Sequence, residues 1–230
     1  GNTYVSMNMV NFREDSQTTA KGQNIMLTWQ DQKSKSYRSF DKEKMTGLMK
    51  KLDGQKAVVE EIKKTPKKTY APLLYDLTEL QREANQRFGY SAKETLNIMQ
   101  RLYENHKVLT YPRTDSRYLS KDIVPTIKDR LEACGTGPYR KLAMTAKKKD
   151  LSGKLAFVND AKVSDHHAII PTEQFVDLSH MTNEERKIYD LVVRRFLAVL
   201  YPPFEYEQTQ VTVKVGGETF LASGKIVKAQ

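Results

Sequence analysis

Hydrophobic and polar residues alternate near both ends of the chain and follow a helical spacing in the middle. Residues 3–12 (TYVSMNMVNF) alternate apolar with small polar side chains, which is typical of a half-buried strand. Residues 24–30 and 55–64 have a similar strand composition. Residues 206–227 alternate strictly around Gly216-Gly217, which predicts a β-hairpin. A polar loop is predicted at 31–40 and a short helix at 40–54.

Two consecutive helices are predicted next. Thr78, followed by Gln81, forms a candidate capping box for a helix over 79–88, and Gly89 is suited to its C-terminus. Ser91 and Glu94 predict a second capping box, for a helix over 92–106. That helix carries an apolar stripe of Leu96, Met99 and Leu102 or Tyr103. A helix pair with a short glycine-containing turn is a candidate helix-turn-helix, although most such pairs only pack together.

Two more helices are predicted, at 121–133 and 183–200, the second ending before Pro202-Pro203. The predicted core residues of the second are Ile188, Leu191, Val192, Phe196 and Val199. The order of strands, helices and strands predicts an α+β chain of two domains. A β-rich domain comprises 1–70 and 207–230, and an α-rich domain comprises 71–206.

The composition is that of a basic protein without a membrane segment. The chain of 230 residues has 38 Lys+Arg against 28 Asp+Glu and a net charge of +10, which favours nucleic acid as a partner. No apolar run reaches the roughly 20 residues of a membrane helix. The single cysteine excludes an internal disulfide and a cysteine-based metal site and fits a reducing compartment. The lysine clusters at 63–68 and 146–150 are typical of solvated loops.

The segment VLTYPRTDSRYLS, residues 108–120, concentrates reactive side chains. In an extended segment Tyr111 and Arg113 project to one side, and Pro112 stiffens the link between them. An arginine binds phosphate through two hydrogen bonds and favours the phenolate form of a neighbouring tyrosine. A surface turn is the alternative interpretation, with Ser120 capping the following helix.

A second candidate site is DHHAIIPT, residues 165–172. Adjacent histidines on a strand point to opposite faces, so one of His166 and His167 is expected to reach a given site. Metal binding is not indicated, because no third ligand follows at a recognised spacing. A phosphate donor, a proton carrier and a histidine merely hydrogen-bonded in a loop all fit the pattern.

Residues 74–104, 109–120 and 165–172 resemble three motifs of the type IA DNA topoisomerases, in that family's order, and are most similar to its bacterial topoisomerase III branch. The resemblance implies that a tyrosine attacks one DNA strand, becomes linked to the 5′ phosphate and frees a 3′ hydroxyl, which reseals the break after strand passage without ATP. It further implies a winged-helix-like (CAP-like) α-rich domain inserted into a β-rich arch. The expected protein is bacterial, cytoplasmic and monomeric, and acts on single-stranded DNA.

The resemblance also implies roles for individual residues. Tyr111 corresponds to the nucleophile, Arg113 to the residue that stabilises the scissile phosphate, and His166 to the phosphate-contacting histidine. Asp115 is expected to support this group. Further DNA contacts are expected from Thr114, Ser116, Arg117, His167 and Thr172.

One family feature has no counterpart in the sequence. Family members bind magnesium through a glutamate and an Asp-x-Asp cluster in a Toprim domain, and no Asp-x-Asp occurs in this chain. We therefore expect a fragment without a metal site, unable to relax supercoiled DNA and binding single strands weakly and in a salt-sensitive way. Two other functions fit parts of the sequence: a non-catalytic winged-helix module that binds duplex DNA, and a tyrosine-dependent nuclease or strand-transfer enzyme.

Overall fold

The computed structural model describes residues 6–9, 25–36 and 42–227. It is a mixed structure, 42% helical and 23% strand, so the predicted combination of helices and sheet is confirmed. Contacts divide the chain into two compact units, Gly1–Thr69 with Phe204–Gln230, and Tyr70–Pro203. The change in sequence pattern predicted divisions after residues 70 and 206. We call the two parts the sheet unit and the helical unit.

The sheet unit contains five antiparallel strands in the order β1-β2-β5-β4-β3. Its hairpin turns at Gly216 and Gly217, whose φ angles of 55° and 79° suit the type I′ turn that joins twisted strands. The strands predicted at 24–30 and 206–227 and the helix at 40–54 are confirmed. Of segment 3–12 only 6–9 lie within the described residues, and they form β1. The elements are β1 Ser6–Met9, β2 Ile25–Gln30, α1 Lys42–Leu52, β3 Ala57–Thr69, β4 Phe204–Val215 and β5 Glu218–Val227.

The lysine cluster at 63–68 is part of β3, so its assignment to a loop was wrong. In the described sheet β3 is an edge strand that pairs with β4 alone, with Pro66 opposite Glu207. Proline is tolerated at such an edge because its missing N–H costs no hydrogen bond within the sheet. Exposed lysines also discourage an edge from pairing with another chain. Non-local pairing with β4 therefore makes this polar segment a strand.

The helical unit is built around α6, whose N-cap Thr182 accepts a hydrogen bond from the Glu185 backbone. The predicted core residues of α6 are buried, except Val199, which is half-buried. Helix α3 packs against both α2 and α6. The helices are α2 Leu77–Phe88, α3 Ala92–Glu104, α4 Ile127–Cys134, α5 Arg140–Ala146 and α6 Asn183–Leu200.

Two predicted helix starts had different outcomes. The capping box of Ser91 and Glu94 is present. The predicted cap at Thr78 was wrong, because α2 begins earlier and the Asp76 carboxylate accepts the Glu79 N–H at 2.7 Å. Aspartate is among the preferred N-cap residues, and its position here satisfies a free N–H of the first turn.

Two apolar patterns were predicted only in part. The buried stripe of α3 consists of Thr95, Ile98, Met99 and Leu102, whereas Leu96 is half-buried. The helix predicted at 121–133 is a 3₁₀ helix over Lys121–Thr126 followed by α4. Pro125 explains the change, since it donates no hydrogen bond and disfavours an α conformation at the residue before it.

Candidate active site

The segment after α3 alternates between buried and exposed residues. Pro112, Thr114 and Ser116 are buried, whereas Arg113 and Asp115 are exposed. The segment enters through an isolated antiparallel bridge between Leu109 and Pro171. This alternation presents charged side chains on one side and uses the other side to hold the segment in the fold.

The buried side chains of the segment fix it to residues 162–166, where the second predicted motif begins. The Thr114 hydroxyl donates to the His166 carbonyl at 3.0 Å and accepts the Ser116 N–H at 3.1 Å. The Ser116 hydroxyl donates to the Lys162 carbonyl at 2.7 Å, and the Leu77 N–H donates to the Thr114 carbonyl at 3.0 Å. Thr114 therefore joins the Tyr111 segment directly to the backbone of His166.

Arg117 is also committed to the fold. Its guanidinium donates to the carbonyls of Leu74 and Leu73 at 3.0 Å and 3.2 Å. The contacts of Thr114, Ser116 and Arg117 are thus internal to the chain, and their expected contact with DNA stays a prediction.

Tyr111 lies in an open cavity of about 670 Å³. Its ring faces the His166 imidazole with centroids 4.2 Å apart and meets the edge of Tyr103 at 5.5 Å. None of the residues described in the structure hydrogen-bonds to the Tyr111 hydroxyl. The two rings fix the position of the phenol and leave its hydroxyl available to an outside group.

Two cations of this cavity were not predicted from the sequence. Arg130, on α4, is buried and donates to the Pro171 carbonyl at 3.0 Å and to the Thr126 hydroxyl at 2.9 Å. Lys107, just after α3, is exposed in the same cavity. Thr172 lines it as well and donates to the Lys107 carbonyl at 2.6 Å. Arg130 lies in a helix without a motif, so no local signal indicated its place.

Arg113 lines an adjacent cavity of about 420 Å³, together with Asp115, Asp165 and His166. Within the described part of the chain, no carboxylate forms an ion pair with the Arg113 guanidinium. The exposed His166 contributes to both cavities. His166 thus lines both the Tyr111 cavity and the Arg113 cavity, whereas Tyr111 and Arg113 line different cavities.

His167 has a different environment from His166. Its Nδ1 lies 2.7 Å from the Ala168 carbonyl, which can only accept, so Nδ1 carries the proton. Burial lowers the pKa of His167, and the nearby Arg130 adds to this effect.

The predicted site residues divide into two groups. Of these residues, His167, Ser116 and Arg117 line neither cavity, whereas the following line one or both: Tyr111, Arg113, Thr114, Asp115, His166 and Thr172.

Other tyrosines of the helical unit are unsuited to act as nucleophiles. Burial is the main cause that raises the pKa of Tyr75, Tyr139 and Tyr189 above the ordinary value. The same cause raises the pKa of the Cys134 thiol to about 12. Tyr103 is the one half-exposed phenol that shares the Tyr111 cavity, and it is the natural comparison in any test.

The described residues do not fit a metal ion. No group of three or more His, Cys, Asp or Glu side chains among them could hold one. We therefore assign no step of the proposed reaction to a metal ion bound by the described residues. The helices described here include none that is long and apolar enough to cross a membrane.

Comparisons with known proteins agree on one family. A family model described as DNA topoisomerase matches residues 3–230. DNA topoisomerase 3 from Bacillus cereus (strain ATCC 14579) is 63% identical over 203 residues, which are 88% of this chain and 28% of that protein. DNA topoisomerase 3 from Bacillus subtilis (strain 168) is 59% identical over 206 residues, 90% of this chain and 28% of that protein.

A solved structure supports the same fold. Full-length topoisomerase I from Thermotoga maritima aligns with a TM-score of 0.62 and 24% identity, over 100% of this chain and 35% of that one. The chain thus spans about 28% of the length of the Bacillus relatives named above.

Proposed function

The chain belongs to the type IA DNA topoisomerases, and from this premise we propose that it supplies the nucleophile with which a longer protein cuts and rejoins one DNA strand. The proposed nucleophile is Tyr111. Arg113 and His166 are proposed to bind the phosphate that Tyr111 attacks. The observation that carries the proposal is the exposed His166, which faces the Tyr111 ring and lines both the Tyr111 cavity and the Arg113 cavity.

The proposed reaction exchanges one phosphate ester for another. The Tyr111 oxygen forms a bond to phosphorus and the bond from phosphorus to the 3′ oxygen breaks, which leaves a 5′-phosphotyrosyl link and a 3′ hydroxyl. The proton lost by the phenol is matched by the proton that the leaving oxygen gains. The reverse attack reseals the strand, so no ATP is consumed.

The charges around His166 suit this reaction. Negative charge builds on the phosphoryl oxygens during attack, and a fixed cation stabilises it more strongly than water does. Arg113 is exposed and free of ion pairs among the described residues, so its two-pronged donor group is available to phosphate. The internal hydrogen bonds of Thr114 hold Arg113 and His166 in register.

Finer features of the function are proposed on the family resemblance. They are a winged-helix-like character for the helical unit, an arch-domain character for the sheet unit, action on a single-stranded segment, and a monomeric, cytoplasmic protein. We also propose that the longer protein binds Mg²⁺ through its Toprim domain, and that this chain alone does not relax supercoiled DNA.

The proposal is tested by trapping a covalent adduct. A single-stranded oligonucleotide is labelled at its 3′ end in one sample and at its 5′ end in another, and each is incubated with the chain and Mg²⁺, with and without a separately supplied Toprim domain of the family. Denaturation in SDS should leave the 3′ label on the protein only when that domain is present. The 5′ label should be released, because the link is to the 5′ phosphate of the downstream fragment.

Variants identify the nucleophile. Tyr111→Phe should abolish the adduct, whereas Tyr103→Phe, which alters the neighbouring phenol of the same cavity, should retain it. An adduct that survives Tyr111→Phe contradicts the assignment. Retention of the 5′ label instead of the 3′ label contradicts the proposed polarity.

A further inference from the structure

Lys107 has a backbone conformation that lysine rarely adopts. In the described parts of the chain, the non-glycine residues with positive φ are Lys107 at 58° and Lys35 at 56°. An L-residue in this region brings its Cβ close to backbone oxygen, and glycine or asparagine is the usual choice. A lysine at such a position is a departure from local preference that calls for a reason elsewhere in the structure.

The neighbours of Lys107 fix this conformation. The preceding His106 pairs through Nε2 with the buried carboxylate of Glu185. The following Val108 is buried, and its N–H donates to the Leu102 carbonyl at 3.0 Å. The carbonyl of Lys107 itself accepts the Thr172 hydroxyl. With both flanking residues anchored, Lys107 is fixed in the lining of the Tyr111 cavity.

The ammonium group of Lys107 is available to a ligand. It has no hydrogen bond or ion pair with any of the described residues, and the side chain is exposed. Arg130, the other cation of this cavity, is buried and already donates to two groups of the chain. Lys35 has the same backbone conformation in a surface turn of the sheet unit, but its Nζ donates to the Gln32 side chain.

We propose that Lys107 binds a phosphate of the single strand adjacent to the phosphate that Tyr111 attacks. This inference rests on the proposed function and deepens it, since it assigns a second phosphate position. A flexible ammonium suits this role, because it binds phosphate as a point charge without demanding one orientation. Lys107 is a positioning residue in this account. It holds the strand while Arg113 and His166 bind the reacting group.

The test measures how salt affects binding of a fluorescent single-stranded oligonucleotide, by anisotropy, to the wild type and three variants. Lys107→Asn removes the charge but tolerates the left-handed conformation, and Lys107→Arg keeps the charge. Lys35→Asn is the matched control, with equal charge loss and an equal backbone conformation outside the cavity.

A phosphate contact to a single strand contributes about 0.7 to the slope of log affinity against log salt. Lys107→Asn should therefore bind several-fold more weakly at low salt, with a slope smaller by about 0.7. Lys107→Arg and Lys35→Asn should keep the wild-type slope. The midpoint of thermal unfolding of Lys107→Asn should equal or exceed that of the wild type, because asparagine relieves the backbone strain.

Two results overturn the inference. One is wild-type binding and slope in Lys107→Asn, and the other is an equal loss in Lys35→Asn, which would reduce the effect to net charge. Failure of the wild type to bind any oligonucleotide even with the Toprim domain supplied would contradict the proposed function itself, so the two failures are distinguishable.

Discussion

The helical unit and the sheet unit carry their positive charge in different ways. In the helical unit, Arg117, Arg130 and Arg195 direct their guanidinium groups to backbone carbonyls of the chain. In the sheet unit, Lys63 and Lys67 lie exposed along the edge strand β3. The arginines satisfy backbone carbonyls by hydrogen bonds, and the lysines discourage the edge strand from pairing with another chain.

The difference shows what the net charge of +10 does and does not indicate. Several arginines of the helical unit are already bound within the chain, and the edge lysines have a sufficient explanation in the sheet. Among the described residues, the cations that line the two cavities without a hydrogen bond or ion pair are Arg113 and Lys107. The basic composition therefore predicted a nucleic-acid partner. The contacts of each side chain are needed to distinguish cations that stabilise the fold from cations available to bind DNA.

The largest effect is expected from removing a mostly buried arginine, whose side chain is 11% exposed. Arg195 pairs with the Glu83 carboxylate at 2.8 Å, donates to the Leu73 carbonyl at 2.8 Å and lies over the Tyr75 ring. Arg195→Met leaves the mostly buried carboxylate without this partner and should lower the free energy of unfolding by about 3–5 kcal/mol. Urea unfolding followed by circular dichroism measures the change.

The neighbouring arginine is the matched control. Arg194 pairs with Asp190 on the surface, with its side chain 55% exposed. Arg194→Met should cost less than about 1 kcal/mol, because water screens and replaces such a pair. Equal losses in the two variants would show that burial does not distinguish these arginines.

A smaller loss is expected from the inward face of the active-site segment. Thr114→Val keeps the shape but removes a hydroxyl that both donates to His166 and accepts from Ser116. Unfolding should become easier by about 1–3 kcal/mol, because buried polar groups lose their partner. Thr78→Val, at an exposed position of α2, should stay within about 0.5 kcal/mol. A Thr114→Val protein with the unfolding free energy of the wild type would contradict the structural role of that hydroxyl.

The next effect depends on pH and concerns His167. Burial is the main cause that lowers its pKa, and the charges of Arg130 and His166 add to it, while the hydrogen bond to the Ala168 carbonyl and the charge of Asp122 oppose the shift. The unfolded chain therefore binds a proton more readily than the folded one between the lowered pKa and the ordinary value of about 6.5. Stability should fall as the pH drops below about 6.5, with a slope of at most about 1.4 kcal/mol per pH unit from this group.

Variants isolate that contribution. His167→Gln should flatten the dependence of unfolding free energy on pH between about 6.5 and the lowered pKa. His180→Gln, with a side chain 78% exposed, is the control for replacing a histidine as such. An unchanged slope in His167→Gln would contradict the assigned environment.

The smallest effect is expected at the edge of the sheet. Replacing both Lys63 and Lys67 by glutamine should change the unfolding free energy by less than about 0.5 kcal/mol, because neither lysine has a partner among the described residues. Replacing both by isoleucine should instead promote self-association, measured by light scattering. Loss of the trapped adduct in the glutamine variant would show that these lysines serve the active site.

Local signals predicted the elements that local physics determines. The Gly216-Gly217 turn requires positive φ at both positions, which glycine allows. Helix α6 has apolar residues at helical spacing and is bounded by the N-cap Thr182 and by Pro202-Pro203. Non-local pairing decided the rest. The polar segment at 63–68 became a strand through β4, and the cap of α2 is Asp76 instead of the predicted Thr78, as the observed hydrogen bond shows.

The candidate site follows the same division. The predicted residues that line one or both cavities all lie in the segments that contain Tyr111 or His166. Arg130 reaches the cavity from α4 through a contact with Pro171, 41 residues away, which no sequence spacing indicates. Lys107 was adjacent to the motif, but its left-handed backbone at the wall of the Tyr111 cavity depends on Glu185 and Thr172.

The most direct test of the central assignment is mass spectrometry of the trapped adduct after digestion with nuclease and trypsin. Cleavage after lysine and arginine places Tyr103, Tyr111 and Tyr118 in separate peptides, LYENHK, VLTYPR and YLSK. We predict a phosphate-linked nucleotide on VLTYPR, with fragment ions that assign it to Tyr111. A nucleotide on LYENHK or YLSK would contradict the account.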